Sequence, residues 1–247
     1  MFRRIARKTV DLFIEKVIET RVVARLLGLI LNLKADKTRS DSELLDVAMK
    51  TFRKFPFNRY KIAPQQLKGE ILGLLSIVRK LAPKTILEIG TSRGGTLFLF
   101  SRVAGPGTLI ISIDWPPKGT AMDFPAWKLP FYRTFARPSQ RLIFLRTDSH
   151  DVSTLEEAKR ILNGHPIDFA FIDGDHTYEA VKQDFEMYSP LVRPGGVIAL
   201  HDIYVHNRLM PTTKVKKFWD EIKDGYNFLE LIENKKQHWY GMGIIYK

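Results

Sequence analysis

The hydrophobic positions follow two different periods along the chain. In the first forty residues they recur at helical spacing, as at Phe2, Ile5 and Val10, and basic side chains lie between them. This pattern predicts one or two basic amphipathic helices, followed by a helix that Ser40 caps. From about residue 64 onward, helical segments alternate with apolar runs of strand length. Such alternation predicts a doubly wound, mostly parallel sheet.

The apolar runs place seven strands and five further helices in this second part of the chain. The strands are expected at 85–89, 108–114, 141–146, 167–172, 197–200, 227–233 and 239–246. The helices are expected at 64–81, after Gly94-Gly95, and at 153–162, 177–188 and 213–223. Ser153 and Glu156 match a capping box for the third of these. The predicted fold is a Rossmann-like α/β domain over residues 61–247, with an N-terminal helical extension over residues 1–60.

One connection departs from the compact pattern. Residues 115–140 are longer than a usual connection from strand to helix and rich in aromatic residues. They are interpreted as a lid or a substrate-facing wall, and packing against the surface is the alternative.

Composition narrows the functional classes. The chain has no cysteine, which excludes disulfides, cysteine-ligated zinc and a thiol nucleophile, and favours a cytoplasmic location. The net charge of +12 would suit nucleic acid or an anionic membrane. Its distribution is uneven, because ten basic and four acidic residues give residues 1–39 a charge of +6, whereas residues 148–204 carry −7.

The basic N-terminal segment leaves two interpretations open. It could lie on an anionic membrane surface, or pack against the domain or against a second subunit of a homo-oligomer. Its longest apolar run, residues 26–31, is too short to span a bilayer. Packing is the default expectation for an amphipathic helix, and peripheral membrane contact through residues 1–39 is the alternative.

Candidate ligand-binding residues follow the first three strands, where open α/β sheets bind ligands. The first strand ends in an E-x-G-x-x-x-G turn, formed by Glu88, Gly90, Thr91, Ser92 and Gly94 in this chain. Its leading acid suits a ligand with an ammonium and a sulfonium better than a pyrophosphate, although glycine turns can also serve packing alone.

The next two strand ends suit a nucleoside. Asp114 is placed to accept hydrogen bonds from a ribose diol, and Trp115 could stack on a base. Asp148 and Ser149 could bind an adenine edge, with a turn role for Asp148 as an equal alternative.

The fourth and fifth strands end in acids and histidines. Adjacent parallel strands would bring Asp173, His176, His201 and Asp202 to one edge of the sheet. Carboxylates beside an imidazole can hold a divalent cation and supply a base. The alternative treats the carboxylates as helix N-caps, which does not explain why two histidines join them.

Together these motifs resemble the class I S-adenosylmethionine-dependent methyltransferases. Residues 172–178 and 195–202 are similar to the metal-assisted O-methyltransferases that include macrocin O-methyltransferase and cephalosporin hydroxylase-like proteins. The resemblance covers about residues 60–247.

The resemblance implies roles for the motif residues. Glu88, Gly90 and the turn through Gly94 would surround the methionine part of S-adenosylmethionine, and Asp173 would border the cofactor. Asp173, His201 and Asp202 would bind Mg²⁺ or another divalent cation, and His176 would be the catalytic base. His201 stands where related sequences often carry Glu, which removes one hard oxygen ligand.

The resemblance implies methyl transfer to a small hydroxylated acceptor such as a sugar or a natural-product alcohol. Two alternatives remain from other classes. A nucleic-acid methyltransferase would explain the basic total, but the fourth strand ends in Asp-Gly-Asp-His rather than in an N/D-P-P-Y/F signature. A membrane-peripheral protein that retains the cofactor fold would explain residues 1–39.

Overall fold

The computed structural model describes residues 16–17, 19–115, 124–204, 212–234, 237 and 240–247. The α-helices are α1 (Arg21–Ala35), α2 (Asp41–Lys50), α3 (Lys68–Leu81), α4 (Gly95–Val103), α5 (Leu129–Tyr132), α6 (Val152–Leu162), α7 (Tyr178–Tyr188) and α8 (Val215–Ile222). The strands are β1 (Thr85–Ile89), β2 (Leu109–Ile113), β3 (Arg141–Leu145), β4 (Ile167–Ile172), β5 (Val192–His201), β6 (Asn227–Leu231) and β7 (Met242–Tyr246).

The seven strands form one sheet in the order β3-β2-β1-β4-β5-β7-β6. Strands β1 to β5 pair in parallel, and β7 runs antiparallel to both of its neighbours. This confirms the predicted α/β class with a mostly parallel, seven-stranded sheet. The order of the strands reverses between β1 and β4, and this topological switch point opens a crevice at the carboxyl ends of the strands.

Local sequence signals explain most of the element boundaries, but several predicted boundaries were wrong in detail: β5 begins at Val192 rather than at 197, and β7 begins at Met242 rather than at 239. The Ser40 side chain accepts a hydrogen bond from the Glu43 amide and caps α2 as expected. However, α6 begins at Val152 after Asp151, so Ser153 lies inside the first turn and does not cap it. Helix α3 begins at Lys68 rather than at Pro64.

Helices α1 and α2 share one hydrophobic core with the central sheet. Leu27 and Leu31 of α1 and Leu44 and Leu45 of α2 are buried in the same cluster as residues of β1 and β4. The apolar positions predicted between residues 2 and 14 lie outside the described residues. The described part of the extension therefore packs on the domain, as the default interpretation expected.

The described part of the aromatic connection is core rather than lid. The rings of Phe124, Phe131, Tyr132 and Phe135 are fully buried, and several of them make edge-to-face contacts. The structure favours the packing alternative over the lid for these aromatic residues, because α1 packs on residues 129–135. Residues 116–123 lie outside the described residues.

Gly28 allows α1 to approach this aromatic segment. A Cβ atom at Gly28 would lie 1.9 Å from the Thr134 hydroxyl oxygen. One turn further along, the Asn32 amide donates a hydrogen bond of 2.6 Å to the Thr134 carbonyl. The contact therefore requires a residue without a side chain at position 28.

We expect Gly28→Val to destabilise the protein by about 1–3 kcal/mol, because the added methyl groups overpack the contact with Thr134. Chemical denaturation monitored by circular dichroism would measure the change. Gly105→Ala is the matched control, since a Cβ at Gly105 meets nothing within 4 Å. A Gly28→Val protein as stable as this control would show that α1 does not depend on the close contact.

Within the described parts of the chain, no helix is both long and apolar enough to cross a bilayer.

Candidate functional site

Parallel register brings the predicted site residues to one level of the sheet. Ile89 at the end of β1 pairs with Ile113 of β2 and with Ile172 of β4, and Ile172 pairs with Leu200 of β5. The residues that follow these positions are Gly90, Asp114, Asp173 and His201. The side chains that carry the candidate chemistry therefore come from four neighbouring strand ends.

These strand ends line a cavity of about 740 Å³. The predicted site residues on its wall are Gly90, Ser92, Asp114, Trp115, Asp148, Ser149, Asp173, His176, His201 and Asp202. The sequence analysis did not include Gln65, His150 or Tyr240, which also line it. A cavity of this size accommodates a cofactor-sized ligand.

The turn after β1 and the end of β2 form one wall of the cavity. Gly90 has a φ of +92°, and a Cβ there would lie 2.0 Å from the Asp173 carbonyl oxygen, so only glycine fits. The Ser92 amide donates a hydrogen bond of 2.6 Å to the Asp114 carboxylate. Burial raises the pKa of Asp114 to about 6, although the hydrogen bonds from the turn oppose this.

Three of the predicted cofactor residues lie behind this wall instead of on it. Glu88 is fully buried, and its Oε1 accepts a hydrogen bond of 2.6 Å from the Thr96 hydroxyl. The hydroxyl groups of Thr91 and Ser112 form a short hydrogen bond to each other. Gly94 precedes α4 as its N-cap, with a φ of +78°, and packs against the Tyr132 ring. These residues shape the turn from inside the protein.

Glu88 is nevertheless an unusual carboxyl. Its burial raises the pKa to about 8, against the effect of the Thr96 hydrogen bond. Its Oε2 has no hydrogen-bond partner among the described residues. At neutral pH a carboxyl with this pKa is largely protonated in the free protein. A positively charged ligand nearby would stabilise its ionised form.

A histidine that was not predicted from the sequence, His150, lies at the adenine end of the predicted site. His150 Nδ1 lies 3.1 Å from Asp148 Oδ1, and its Nε2 lies 3.3 Å from Asp184 Oδ1. The hydrogen bond to Asp184 raises the pKa of His150 to about 9, in spite of partial burial. Because His150 follows Asp148-Ser149 directly, the strand-end rule could have found it.

Asp173, His176, His201 and Asp202 come together as predicted, in a network of direct contacts. His176 bridges the two carboxylates, with Nδ1 2.9 Å from Asp202 Oδ2 and Nε2 3.4 Å from Asp173 Oδ1. His201 Nδ1 lies 2.9 Å from the same Asp173 oxygen. Asp202 has a left-handed backbone, with a φ of +64°, a conformation common at functional sites.

The carboxylates favour the charged form of both imidazoles. Burial by itself would lower the pKa of His176, but hydrogen bonds to Asp173 and Asp202 raise it to about 10. Burial also opposes the charge on His201, and the two carboxylates still raise its pKa. In turn, the two histidines outweigh the burial of Asp173 and lower its pKa well below the usual range.

This arrangement does not fit a divalent cation. No group of three Cys, His, Asp or Glu side chains within the described segments is placed to bind a metal ion. The carboxylates of Asp173 and Asp202 already contact the imidazoles of His176 and His201, so the oxygens that a cation would need are occupied. The predicted metal site at Asp173, His201 and Asp202 is therefore not supported.

Two residues of the α3 region were not predicted from the sequence: Gln66 contacts the network directly, and Glu70 is close enough to feel the charge of His201. The Gln66 amide donates a hydrogen bond of 2.7 Å to Asp173 Oδ2. Glu70 is buried, and its Oε1 accepts hydrogen bonds from Gln237 and from the Gly241 amide. Neither residue follows a strand, so no spacing in the sequence connects them to the site.

Comparisons with known proteins find methyltransferases similar to this part of the chain. Residues 87–203 match a family described as a methyltransferase domain. The rhamnosyl O-methyltransferase of Mycobacterium bovis is 24% identical over 170 residues, which are 64% of each chain. An uncharacterized protein of Sinorhizobium fredii is 26% identical over 176 residues, which are 69% of this chain and 18% of that protein. The chain thus spans less than two thirds of the length of these curated relatives.

Solved structures share the fold. The O-methyltransferase TomG from Streptomyces achromogenes, involved in tomaymycin synthesis and solved in complex with S-adenosylmethionine, has a TM-score of 0.56 at 16% identity. The superposition covers 87% of this chain and 94% of that chain. The O-methyltransferase from Bacillus cereus, in complex with S-adenosylhomocysteine, has a TM-score of 0.50 at 17% identity, over 89% and 97%.

The family match and the geometry agree on the same part of the chain. The matched residues run from β1 to just beyond Asp202 and include every site residue predicted from the sequence. The sheet order and the cavity at its carboxyl edge confirm the class I resemblance that the motifs indicated. Residues 87–203 therefore match a methyltransferase domain, and the chain has the fold of these O-methyltransferase structures.

Proposed function

We propose that this protein is an S-adenosylmethionine-dependent O-methyltransferase that acts on a hydroxyl group of a small molecule. One observation carries the proposal: a single cavity has Asp114 and the glycine turn on one wall and the His176 network on another. The first wall suits a nucleoside cofactor with a positive charge. The second can orient and deprotonate a hydroxyl group.

The cofactor fits the residues that are present. Asp114 at the end of β2 would accept hydrogen bonds from the ribose hydroxyls, and Trp115, which is half exposed at the cavity, would cover the base. Asp148 and Ser149 would bind the adenine edge. The Asp114 carboxylate on the cavity wall favours a ligand that carries an ammonium and a sulfonium.

The protein's own part in the reaction is alignment and proton transfer. When bound, S-adenosylmethionine supplies an electrophilic methyl group, and the substrate oxygen bonds to its carbon while the carbon–sulfur bond breaks and its electron pair stays on sulfur. His176, in its neutral form, takes the proton of the hydroxyl group. Asp173 and Asp202 hold the imidazole in place and stabilise its charge after the transfer.

The proposed reaction does not use a divalent cation. The sequence resemblance implied metal assistance, but His201 and His176 contact the carboxylates that a cation would need. Activity is therefore expected to persist after dialysis against EDTA, and Mg²⁺ should not increase it.

A glycoside is the acceptor class we propose, and the rhamnosyl O-methyltransferase relative supports it. The acids on the cavity wall also favour a neutral hydroxylated molecule over a polyphosphate chain. This argues against the nucleic-acid alternative.

The experiment combines cofactor binding with methyl transfer. Calorimetry with S-adenosylmethionine tests the first wall, and mass spectrometry after incubation with methyl α-L-rhamnopyranoside tests for a methylated product, with and without EDTA. Failure to bind S-adenosylmethionine would overturn the proposal. Binding without transfer to this glycoside would overturn only the acceptor class. Loss of transfer in the presence of EDTA would show that the reaction requires a metal ion.

Cofactor affinity is expected to fall as the pH drops below about 6. The free protein holds the pKa of Asp114 at about 6, whereas ribose hydroxyls donate to the ionised carboxylate and lower that pKa in the complex. The dissociation constant should therefore rise by up to about tenfold per pH unit on the acid side of that value.

Calorimetry at about pH 5 and pH 7 would measure this change. Asp114→Asn is the matched control, because its amide does not titrate and its affinity should vary less with pH. Equal pH dependence in both proteins would assign the effect to another group.

A further inference from the structure

Helix α1 has a second apolar face that nothing described in the chain covers. Its buried face, formed by Ala24, Leu27, Leu31 and Ala35, packs on the domain. The exposed fractions on the other side are 67% for Val22, 53% for Leu26, 54% for Leu29, 43% for Ile30 and 62% for Leu33. Such exposure of five large apolar side chains on one helix normally indicates a partner.

The five exposed side chains form one continuous stripe. Successive residues of an α-helix lie about 100° apart around its axis. On that geometry Val22, Leu26, Leu29, Ile30 and Leu33 occupy a sector of about 100°, directly opposite the buried face. We call these five residues the outer stripe.

Basic side chains border the outer stripe on both sides. Arg21 and Arg25 lie along one border and Lys34 lies along the other, and all three are exposed. The helix contains no acidic residue. The flanking acids are already paired, since Glu19 contacts Arg59 and Asp36 contacts Arg102. Across the described segments, none of the three border residues has a carboxylate partner.

We infer that the outer stripe of α1 docks on an anionic lipid surface. An apolar strip between two rows of cations is the pattern by which interfacial helices insert their apolar face and bind anionic headgroups. The buried face anchors the helix to the domain, so the domain would be held at that surface.

The charge pattern disfavours two other occupants of the outer stripe, a second copy of the chain and its own residues 1–15. A second copy docked stripe to stripe would place the basic borders of the two helices together, with no acid on the helix to compensate. Residues 1–15 carry Arg3, Arg4, Arg7 and Lys8 against Asp11 and Glu15, so they too are basic. An anionic bilayer is the occupant that complements both the apolar and the charged part.

Two layers of structure lie between the outer stripe and the cavity wall. Helix α1 packs on residues 129–135 through Gly28 and Asn32. The Tyr132 hydroxyl in that segment donates a hydrogen bond of 3.3 Å to the Ser92 carbonyl in the cofactor turn. The body of α1 and the segment 129–135 form these two layers.

The test is co-sedimentation of the full chain with vesicles of phosphatidylcholine alone and of phosphatidylcholine with phosphatidylglycerol. We expect binding to the anionic vesicles that weakens at high salt, and much weaker binding to the neutral ones. Reversing the border charges, Arg21→Glu with Arg25→Glu and Lys34→Glu, should reduce the affinity by about a hundredfold or more. Replacing Leu26, Leu29 and Leu33 by Ser should abolish binding.

The matched control replaces three exposed apolar residues far from α1 in the sequence, Val152, Phe228 and Leu229, by Ser. This protein should bind like the wild type. Thermal unfolding of each variant verifies that it is folded.

Three outcomes would overturn the inference. They are no binding of the wild type to anionic vesicles, unchanged binding of the stripe variant, and a dimer in sedimentation velocity that the stripe variant dissociates. The last of these would assign the outer stripe to a second copy.

Discussion

Replacing His176 by Gln is expected to lower kcat for methyl transfer to the glycoside probe by about 10²–10⁴-fold, the usual contribution of a general base. Glutamine keeps polar atoms near Asp173 and Asp202 but cannot take up the proton of the substrate hydroxyl. The affinity for S-adenosylmethionine should change far less, because Asp114 and the glycine turn lie on another wall of the cavity.

The pH dependence of kcat separates a base from a residue that only fills space. His176 has a pKa of about 10 in the free protein, so at neutral pH only a small fraction of it is neutral. The rate should therefore rise with pH by about tenfold per unit until His176 is largely neutral. The positive charge of the bound cofactor lowers this pKa, which moves the limb below pH 10.

His165→Gln is the control for this experiment, because His165 is exposed and does not line the cavity. It should retain both the rate and the pH limb. A flat wild-type profile between pH 7 and 9, or a limb that survives in His176→Gln, would remove His176 from the role of base.

The fold was predictable because its signals are local and repeated. Each strand of the parallel core is a short apolar run, as at Thr85–Ile89 and Ile167–Ile172, and both boundaries agree with the structure. Ligand residues were predictable for a related reason. The rule that ligands bind at the carboxyl ends of parallel strands turns a position in the sequence into a position at the sheet edge.

The same rule could not tell which of those residues face the cavity. Glu88 and Asp114 both lie at strand ends, yet Glu88 is buried behind the turn and Asp114 lines the cavity. The distinction depends on how α4 packs on the sheet, which brings the Thr96 hydroxyl onto the Glu88 carboxylate. The spacing of a motif gives no information about how helices and strands pack on one another.

The aromatic connection, residues 115–140, shows a second limit of prediction from the sequence. A run rich in Phe, Trp and Tyr has the same composition whether it covers a substrate or packs under a helix. The outcome was decided by Gly28, which lets α1 lie directly on Thr134. Because that contact joins residues more than a hundred positions apart, no local pattern contained it.

Replacing Asp173 by Ala should destabilise the protein by about 3–5 kcal/mol, which corresponds to a fall in Tm of roughly 6–20 °C. Asp173 accepts the Gln66 amide and faces both histidines, and His201 is buried beside it. Removing the carboxylate leaves a buried imidazolium without its main partner. Asp175→Ala, two residues away and exposed, is the control and should cost about 1 kcal/mol or less.

The difference between the wild type and Asp173→Ala should itself depend on pH. The lowered pKa of Asp173 stabilises the folded state above the ordinary value near 3.8, and this contribution is lost as the pH falls. The raised pKa of His176 stabilises it below the ordinary value near 6.5, and this contribution is lost as the pH rises toward 10. The difference should therefore be largest between about pH 4 and 6.5. Denaturation curves at several pH values that give one constant difference would show that Asp173 acts by packing instead of by charge.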